Sequence, residues 1–162
     1  MEIFVNRRID IALALGADGV QLGFDAVDPQ TARRLLEIDA KSGSSVKIGI
    51  SAHLPDEIRT ASPEVDCAQL APIFQPLSKP RAGPYLGVRA VSEAARYDIP
   101  IIAQGGITPA NATSIAAAGA SGIAVTGAIL SAPDPAEATR ALRAALAAAP
   151  RSHAGTSPTT PI

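Results

Sequence analysis

Short apolar runs alternate with amphipathic stretches along most of this chain. Residues 3–5, 19–22, 46–51, 67–70, 101–104 and 122–125 are brief runs rich in Val, Ile and Leu, and each predicts a buried strand. Between them the apolar spacing changes to that of a helix. Residues 8–15 place Ile9, Ala12 and Leu13 on one face, and Gly16 closes the helix. Asp28 caps a helix over 29–38 that should turn Leu35 and Leu36 inward and leave Arg33 and Arg34 partly exposed. Further helices are predicted over 55–60 and 86–96, after Thr108-Pro109, briefly after Thr126-Gly127, and over 135–148.

The junctions between these elements repeat. Leu15-Gly16-Ala17-Asp18-Gly19-Val20 echoes Ala118-Gly119-Ala120-Ser121-Gly122-Ile123, each a helix end, a tight turn and a strand start. Repeated connections of this kind imply a parallel α/β sheet with helical crossovers. About six βα units can be counted in the 162 residues, whereas a closed TIM (β/α)8-type barrel has eight units and about 250 residues. The expected fold is therefore an incomplete TIM-type barrel short of its first two units. Residues 1–149 read as the barrel domain and 150–162, rich in Pro, Ser and Thr, as a disordered tail that gives His153 no role. Residues 41–45 form a polar loop. The longer irregular stretch 72–84, with four prolines and with Lys79 and Arg81, reads as a lid at a strand's carboxyl end.

Candidate chemistry gathers at the last two strands. Gly105 and Gly106 permit a close backbone approach, and Thr108 and Pro109 are suited to open the following helix. Val125, Thr126 and Gly127 form a second small-residue turn. Two such turns side by side present free N–H groups and form an anion site, the way barrels of this type hold phosphate. Packing alone would also account for glycine-rich turns. Composition narrows the classes further. The chain has 14 Lys and Arg against 15 Asp and Glu, so it carries no basic nucleic-acid surface. A single cysteine, Cys67, excludes an internal disulfide and reads as a buried strand residue. No apolar run is long enough to span a membrane and Met1-Glu2-Ile3 does not begin a signal peptide, so a cytoplasmic protein is expected.

Several motifs together resemble the thiamine phosphate synthase and TenI family. They are the run from Phe4-Val5-Asn6-Arg7-Arg8 to Gly19-Val20-Gln21-Leu22-Gly23, then Ile48-Gly49-Ile50-Ser51-Ala52-His53, and Ala71-Pro72-Ile73-Phe74 leading to Ser78-Lys79-Pro80. Gln104-Gly105-Gly106-Ile107-Thr108 and the stretch 122–129 complete the set, in family order over about residues 3–148. The resemblance implies an eight-stranded barrel, here beginning at its third strand. It implies a thiazole phosphate on Gly105, Gly106, Val125 and Thr126, with Asn6, Ser51, Ser78 and Lys79 around a pyrimidine diphosphate. In the synthase reaction of that family the pyrimidine diphosphate loses pyrophosphate and the thiazole nitrogen captures the carbon, with Mg²⁺ on the leaving group.

Two positions depart from the pattern. Arg7 stands where the family's synthases carry a metal-binding Asp, and Ala26 stands at the second such Asp, with Asp25 beside it and Asp28 further on. No metal ligand is therefore assigned, and Mg²⁺ is expected only for a synthase-like activity. A guanidinium can instead pair directly with an oxyanion. Pro76 stands where many members have a lid Thr. TenI-like relatives dispense with the metal carboxylates, and some isomerise a thiazole phosphate by proton transfer at a His that matches His53. His53 then reads either as a proton shuttle or as a loop hydrogen-bonding group, and Lys79 as a mobile cation for an anion. Asp10 reads as a helix N-terminal charge and Asp28 as a cap rather than a ligand. Gln21 could bond a ligand or a neighbouring strand.

Three functions follow from these readings. One is a thiamine-pathway enzyme, synthase or thiazole tautomerase, acting on a small phosphate ester. Another is a non-catalytic phosphate-binding descendant. The last is a different phosphate-binding barrel, an isomerase or epimerase. Unpaired sheet edges would further allow a homo-oligomer.

Overall fold

The computed structural model describes residues 2–38, 46–76 and 84–149. Six parallel strands pair in chain order: β1 (Phe4–Asn6), β2 (Gly19–Leu22), β3 (Lys47–Ala52), β4 (Cys67–Leu70), β5 (Ile101–Gln104) and β6 (Gly122–Ala124). The crossovers carry α1 (Ile9–Leu15), α2 (Pro29–Ile38), α3 (Pro55–Ala61), α4 (Gly87–Ala94) and α5 (Pro109–Ala117). A short α6 (Gly127–Leu130) and α7 (Pro135–Ala147) follow β6. This is a run of consecutive βα units of TIM-barrel type, and among the described residues β1 and β6 each have one neighbouring strand.

The register puts one apolar layer beneath the helices. Val5 lies beside Val20, Val20 beside Ile48, Ile50 beside Ala68, and Leu70 beside Ala103. Because side chains alternate along a strand, these positions share one face. All but the half-buried Val5 are buried, against Ala12, Leu36, Ile58, Val91 and Ile115 of α1 to α5. Ala12, Ala32, Ala94 and Ala112 on the same helices are fully buried with them. The opposite face is different: Asn6, Gln21, Lys47, Ser51, Gln69 and Gln104 are half-buried or exposed. The expected alternation therefore holds, with a polar second face.

The boundaries expected from sequence shift in a few places. Leu36 is 5% exposed, but Leu35 is 43% exposed and does not point into the core. Successive helical residues lie 100° apart, and Ala32 and Leu36, one turn apart, take the sheet side alone. The helix expected over 86–96 is Gly87–Ala94, because the N–H groups of Arg96 and Tyr97 turn back to Glu93 and Ala94 and end it. Cys67 lies in β4 as expected but is only half-buried, since it sits on the polar face with Gln69. Burial pushes its thiol pKa up, and the nearby Asp66 carboxylate adds to the rise. Asp28 caps α2 as read, accepting from the Thr31 N–H at 2.9 Å. Asp10 sits in the first turn of α1 and pairs with Arg8. The stretch expected to be a tail lies outside the described residues.

Candidate active site at the carboxyl ends of the strands

Two turns meet above β5 and β6. After β5, Gly105 and Gly106 have φ of 98° and 63°, a region in which a side chain is strained. Space is refused as well as conformation. A Cβ on Gly105 would lie 2.9 Å from the Pro72 backbone, and one on Gly106 would lie 2.7 Å from the Phe74 side chain. The neighbouring segment is fixed on this turn, because Ile73 N–H donates to Gln104 O at 2.9 Å and Phe74 N–H to Gly105 O at 3.0 Å. Asn111, in the first turn of α5, holds it from the other side. Its carboxamide accepts from Thr108 N–H at 2.8 Å and donates to Gly106 O at 3.0 Å.

Val125 has already left the ladder, since β6 ends at Ala124. Thr126 then caps α6 through its carbonyl, which accepts from Ile129 and Leu130. Among the described residues, no hydrogen bond engages the N–H groups of Gly106, Val125, Thr126, Gly127 or Ala128. All five residues line one cavity of about 340 Å³, together with His53, Pro72, Pro76, Gln104 and Ile107. The two turns read from the sequence are thus brought together. Free amides can solvate an anion by hydrogen bonding.

The irregular segment read as a lid is anchored at both ends. Leu86 N–H donates to Pro72 O at 3.1 Å and Gly87 N–H to Ile73 O at 2.9 Å, so its two described ends are tied together beside Pro72, which lines the cavity. Ser78 and Lys79 lie outside the described residues. His53 lines the cavity, and its Nδ1 lies 2.7 Å from Ala71 O. A carbonyl only accepts, so Nδ1 carries the proton, and in the neutral ring Nε2 is the acceptor. Glu57 steadies the same corner by accepting from the His53 N–H at 2.7 Å.

Asn6 and Ser51 lie on the polar face of β1 and β3 and do not line this cavity. Gln21 resolves as a strand-to-strand contact, donating to Ser51 Oγ at 3.1 Å across Gly49. At the end of β1, Arg7 Nη1 pairs with Asp25 Oδ2 at 2.7 Å. That pair fills the place where the resemblance would put metal carboxylates, and a guanidinium ligates no cation. Among the described residues no group of three or more His, Cys, Asp or Glu could hold a metal ion. The residues present do not fit Mg²⁺ there. Sequence reasoning missed Asn111, whose signal was the Thr108-to-Asn111 spacing of a helix cap, and gave no role to Gln104 or Ala128, which only the meeting of the turns selects.

The family model described as thiamine monophosphate synthase matches residues 1–129. The chain belongs to this family. It is 40% identical over 142 residues to the thiamine-phosphate synthase of Roseiflexus castenholzii, an alignment covering 86% of this chain and 60% of that protein. It is 44% identical over 144 residues to the thiamine biosynthesis bifunctional protein ThiM/ThiE of Symbiobacterium thermophilum, covering 86% of this chain and 28% of that one. Among solved structures, the thiamine phosphate pyrophosphorylase from Pyrococcus furiosus superposes with a TM-score of 0.72 at 30% identity, covering 89% of this chain and 66% of the other. The chain thus spans less than two thirds of the length of these members of the thiamine monophosphate synthase family. No helix among the described residues is long and apolar enough to cross a membrane.

Proposed function

We propose that this chain acts in thiamine biosynthesis and that its cavity above β5 and β6 takes the phosphate of thiazole phosphate, which becomes the phosphate of thiamine phosphate. The observation that carries this reading is the cluster of unpaired amides of Gly106, Val125, Thr126, Gly127 and Ala128 around one cavity. Gly105 and Gly106 serve it because any side chain there would strike the 72–75 segment. In the synthase reaction the C–O bond to the diphosphate breaks and a C–N bond to the thiazole forms. Asn6 and Ser51 on the polar face, with Ser78 and Lys79 from the loop, would then meet the pyrimidine diphosphate.

His53 supports a second reading, a thiazole tautomerase. With Nδ1 tied to Ala71 O, its Nε2 is the lone-pair nitrogen at the cavity wall, the atom a proton shuttle would use. One experiment separates the outcomes. The purified chain is titrated with thiazole phosphate while its amide resonances are followed, and turnover is then assayed with pyrimidine diphosphate, with and without Mg²⁺. The amides of Gly106, Thr126 and Gly127 should shift and saturate, and Gly106→Val should lose at least about tenfold in affinity, the scale of one charge-assisted hydrogen bond. Condensation supports the synthase, and isomerisation of a thiazole carboxylate phosphate lost in His53→Gln supports the tautomerase. Saturation without either reaction indicates a binding protein. Unmoved amides would overturn the phosphate assignment itself.

A further inference from the structure

A second polar cluster lies at the carboxyl ends of β1 and β2, on residues that do not line the cavity above β5 and β6. Arg7 leaves β1 with a φ of 65°, and it is the one described residue other than glycine with a positive φ. That conformation costs about 1–2 kcal/mol for a residue with a Cβ. It is held in place, because the Arg7 N–H donates to Gln21 O at 2.8 Å. The effect is to lay the side chain across the end of β2, with Nε 3.5 Å from where a Cβ on Gly23 would be. Nη1 meets Asp25 there, and the two side chains are 50% and 43% exposed.

The ion pair does not account for this arrangement, and the backbone bonds of Arg7 N–H to Gln21 O and Arg8 N–H to Asn6 O fix the turn but not the direction of the guanidinium. An ion pair so open to water contributes about 0–1 kcal/mol, which does not offset the backbone strain. Only one guanidinium N–H is engaged by Asp25, so donors remain toward solvent beside the exposed Asn6. Backbone outliers of this kind cluster where a side chain must be aimed at something. A fixed, permanently charged planar fork is suited to phosphate oxygens, which it can take two at a time.

We infer that Arg7, positioned by Asp25, is the cationic anchor for a phosphate or diphosphate group at the carboxyl ends of β1 and β2, and that this chain binds that group without a divalent metal. The inference rests on the reading of the strands' carboxyl ends as the ligand-binding face. It also explains the mismatch at the metal position, since the guanidinium supplies in fixed form the positive charge that an ion would otherwise bring.

The test uses inorganic pyrophosphate as the probe, titrated into the full chain by calorimetry with EDTA and then with Mg²⁺, while the Arg7 Nε–H resonance is followed. Binding should occur in EDTA, change less than about threefold on adding Mg²⁺, and shift Arg7. Arg7→Gln should weaken it at least about tenfold, the loss of one charge-assisted hydrogen bond. Arg7→Gly relieves the left-handed backbone, so it should melt no lower than the parent and still lose pyrophosphate. Conversely, Arg7→Asp opposite Asp25 should create Mn²⁺ binding visible by electron paramagnetic resonance where the parent has none. Binding that requires Mg²⁺, Mn²⁺ binding by the parent, an unmoved Arg7 resonance, or full affinity in Arg7→Gln would each overturn the inference. Thiazole phosphate titrated into Arg7→Gln keeps the two readings apart. Retained amide shifts at Gly106 with lost pyrophosphate binding support both, whereas absent Gly106 shifts beside an Arg7-dependent pyrophosphate site would sink only the cavity assignment.

Discussion

Asp28 and Arg7 show how differently single charges behave here. Asp28 is a cap: hydrogen bonds from the Thr31 backbone and side chain hold its carboxyl below the usual carboxylate range. A group whose folded-state pKa is depressed stabilises above its unfolded value, near 3.9, and loses that contribution as pH falls through the folded value. Asp28→Ala should therefore lower the melting midpoint by about 2–4 °C at pH 7, from the loss of an N-cap in a chain of this size. The difference between the two melts should begin to shrink as the pH falls below about 3.9 and close only below the folded-state value, where the native carboxyl is protonated too. A difference that persists unchanged at low pH would mean the cap acts through its shape and not its charge. Arg7 adopts a strained backbone instead, which the sequence did not show, although it marked the residue as out of pattern and able to pair with an oxyanion.

At the scale of elements, α2 and the β5–α5 turn were legible to different depths. The helical period of 29–38 was plain, but it offered both Leu35 and Leu36 to the core, and only packing on the sheet chose between them. Leu36→Ala should cost about 2–4 kcal/mol and Leu35→Ala less than about 1 kcal/mol in urea unfolding, the difference between a buried and a half-exposed leucine. Equal costs would contradict the orientation of α2. At the glycine turn, Thr108 and Pro109 announced the helix start, and Gly105-Gly106 announced a tight bend. What they could not announce was the partner surface: the 72–75 segment lies 30 residues earlier in the chain and is delivered by β4. A loop's contacts depend on where two strands end, which no local pattern carries.

The whole molecule adds the matter of its edges. Among the described residues β1 and β6 flank the sheet, and Ile3, Leu15 and Phe24, in or next to the first two βα units, expose large apolar side chains. An open strand edge beside apolar surface favours association with another copy. Sedimentation velocity should show a weight-average mass that rises with concentration, and Leu15→Lys should move the chain toward monomer without altering its circular dichroism. A single concentration-independent monomer peak would refute this. The polar face of the sheet, with Asn6, Gln21, Lys47, Ser51 and Gln69, likewise belongs to this scale, since it exists only because three strand registers bring those positions onto one face.

By itself the sequence determined the order and type of the elements, the parallel topology and the family, because these follow from periodicity, turn residues and motifs that are local in the chain. It also named the glycines and the Thr126 turn, whose chemistry depends on missing side chains and free amides. Tertiary structure alone decided which of two adjacent leucines is buried, that His53 is tied to Ala71, that Gln21 reaches Ser51, and that Arg7 faces Asp25. Each of those is a contact between segments far apart in sequence, fixed by strand register and by the direction in which a side chain leaves the backbone.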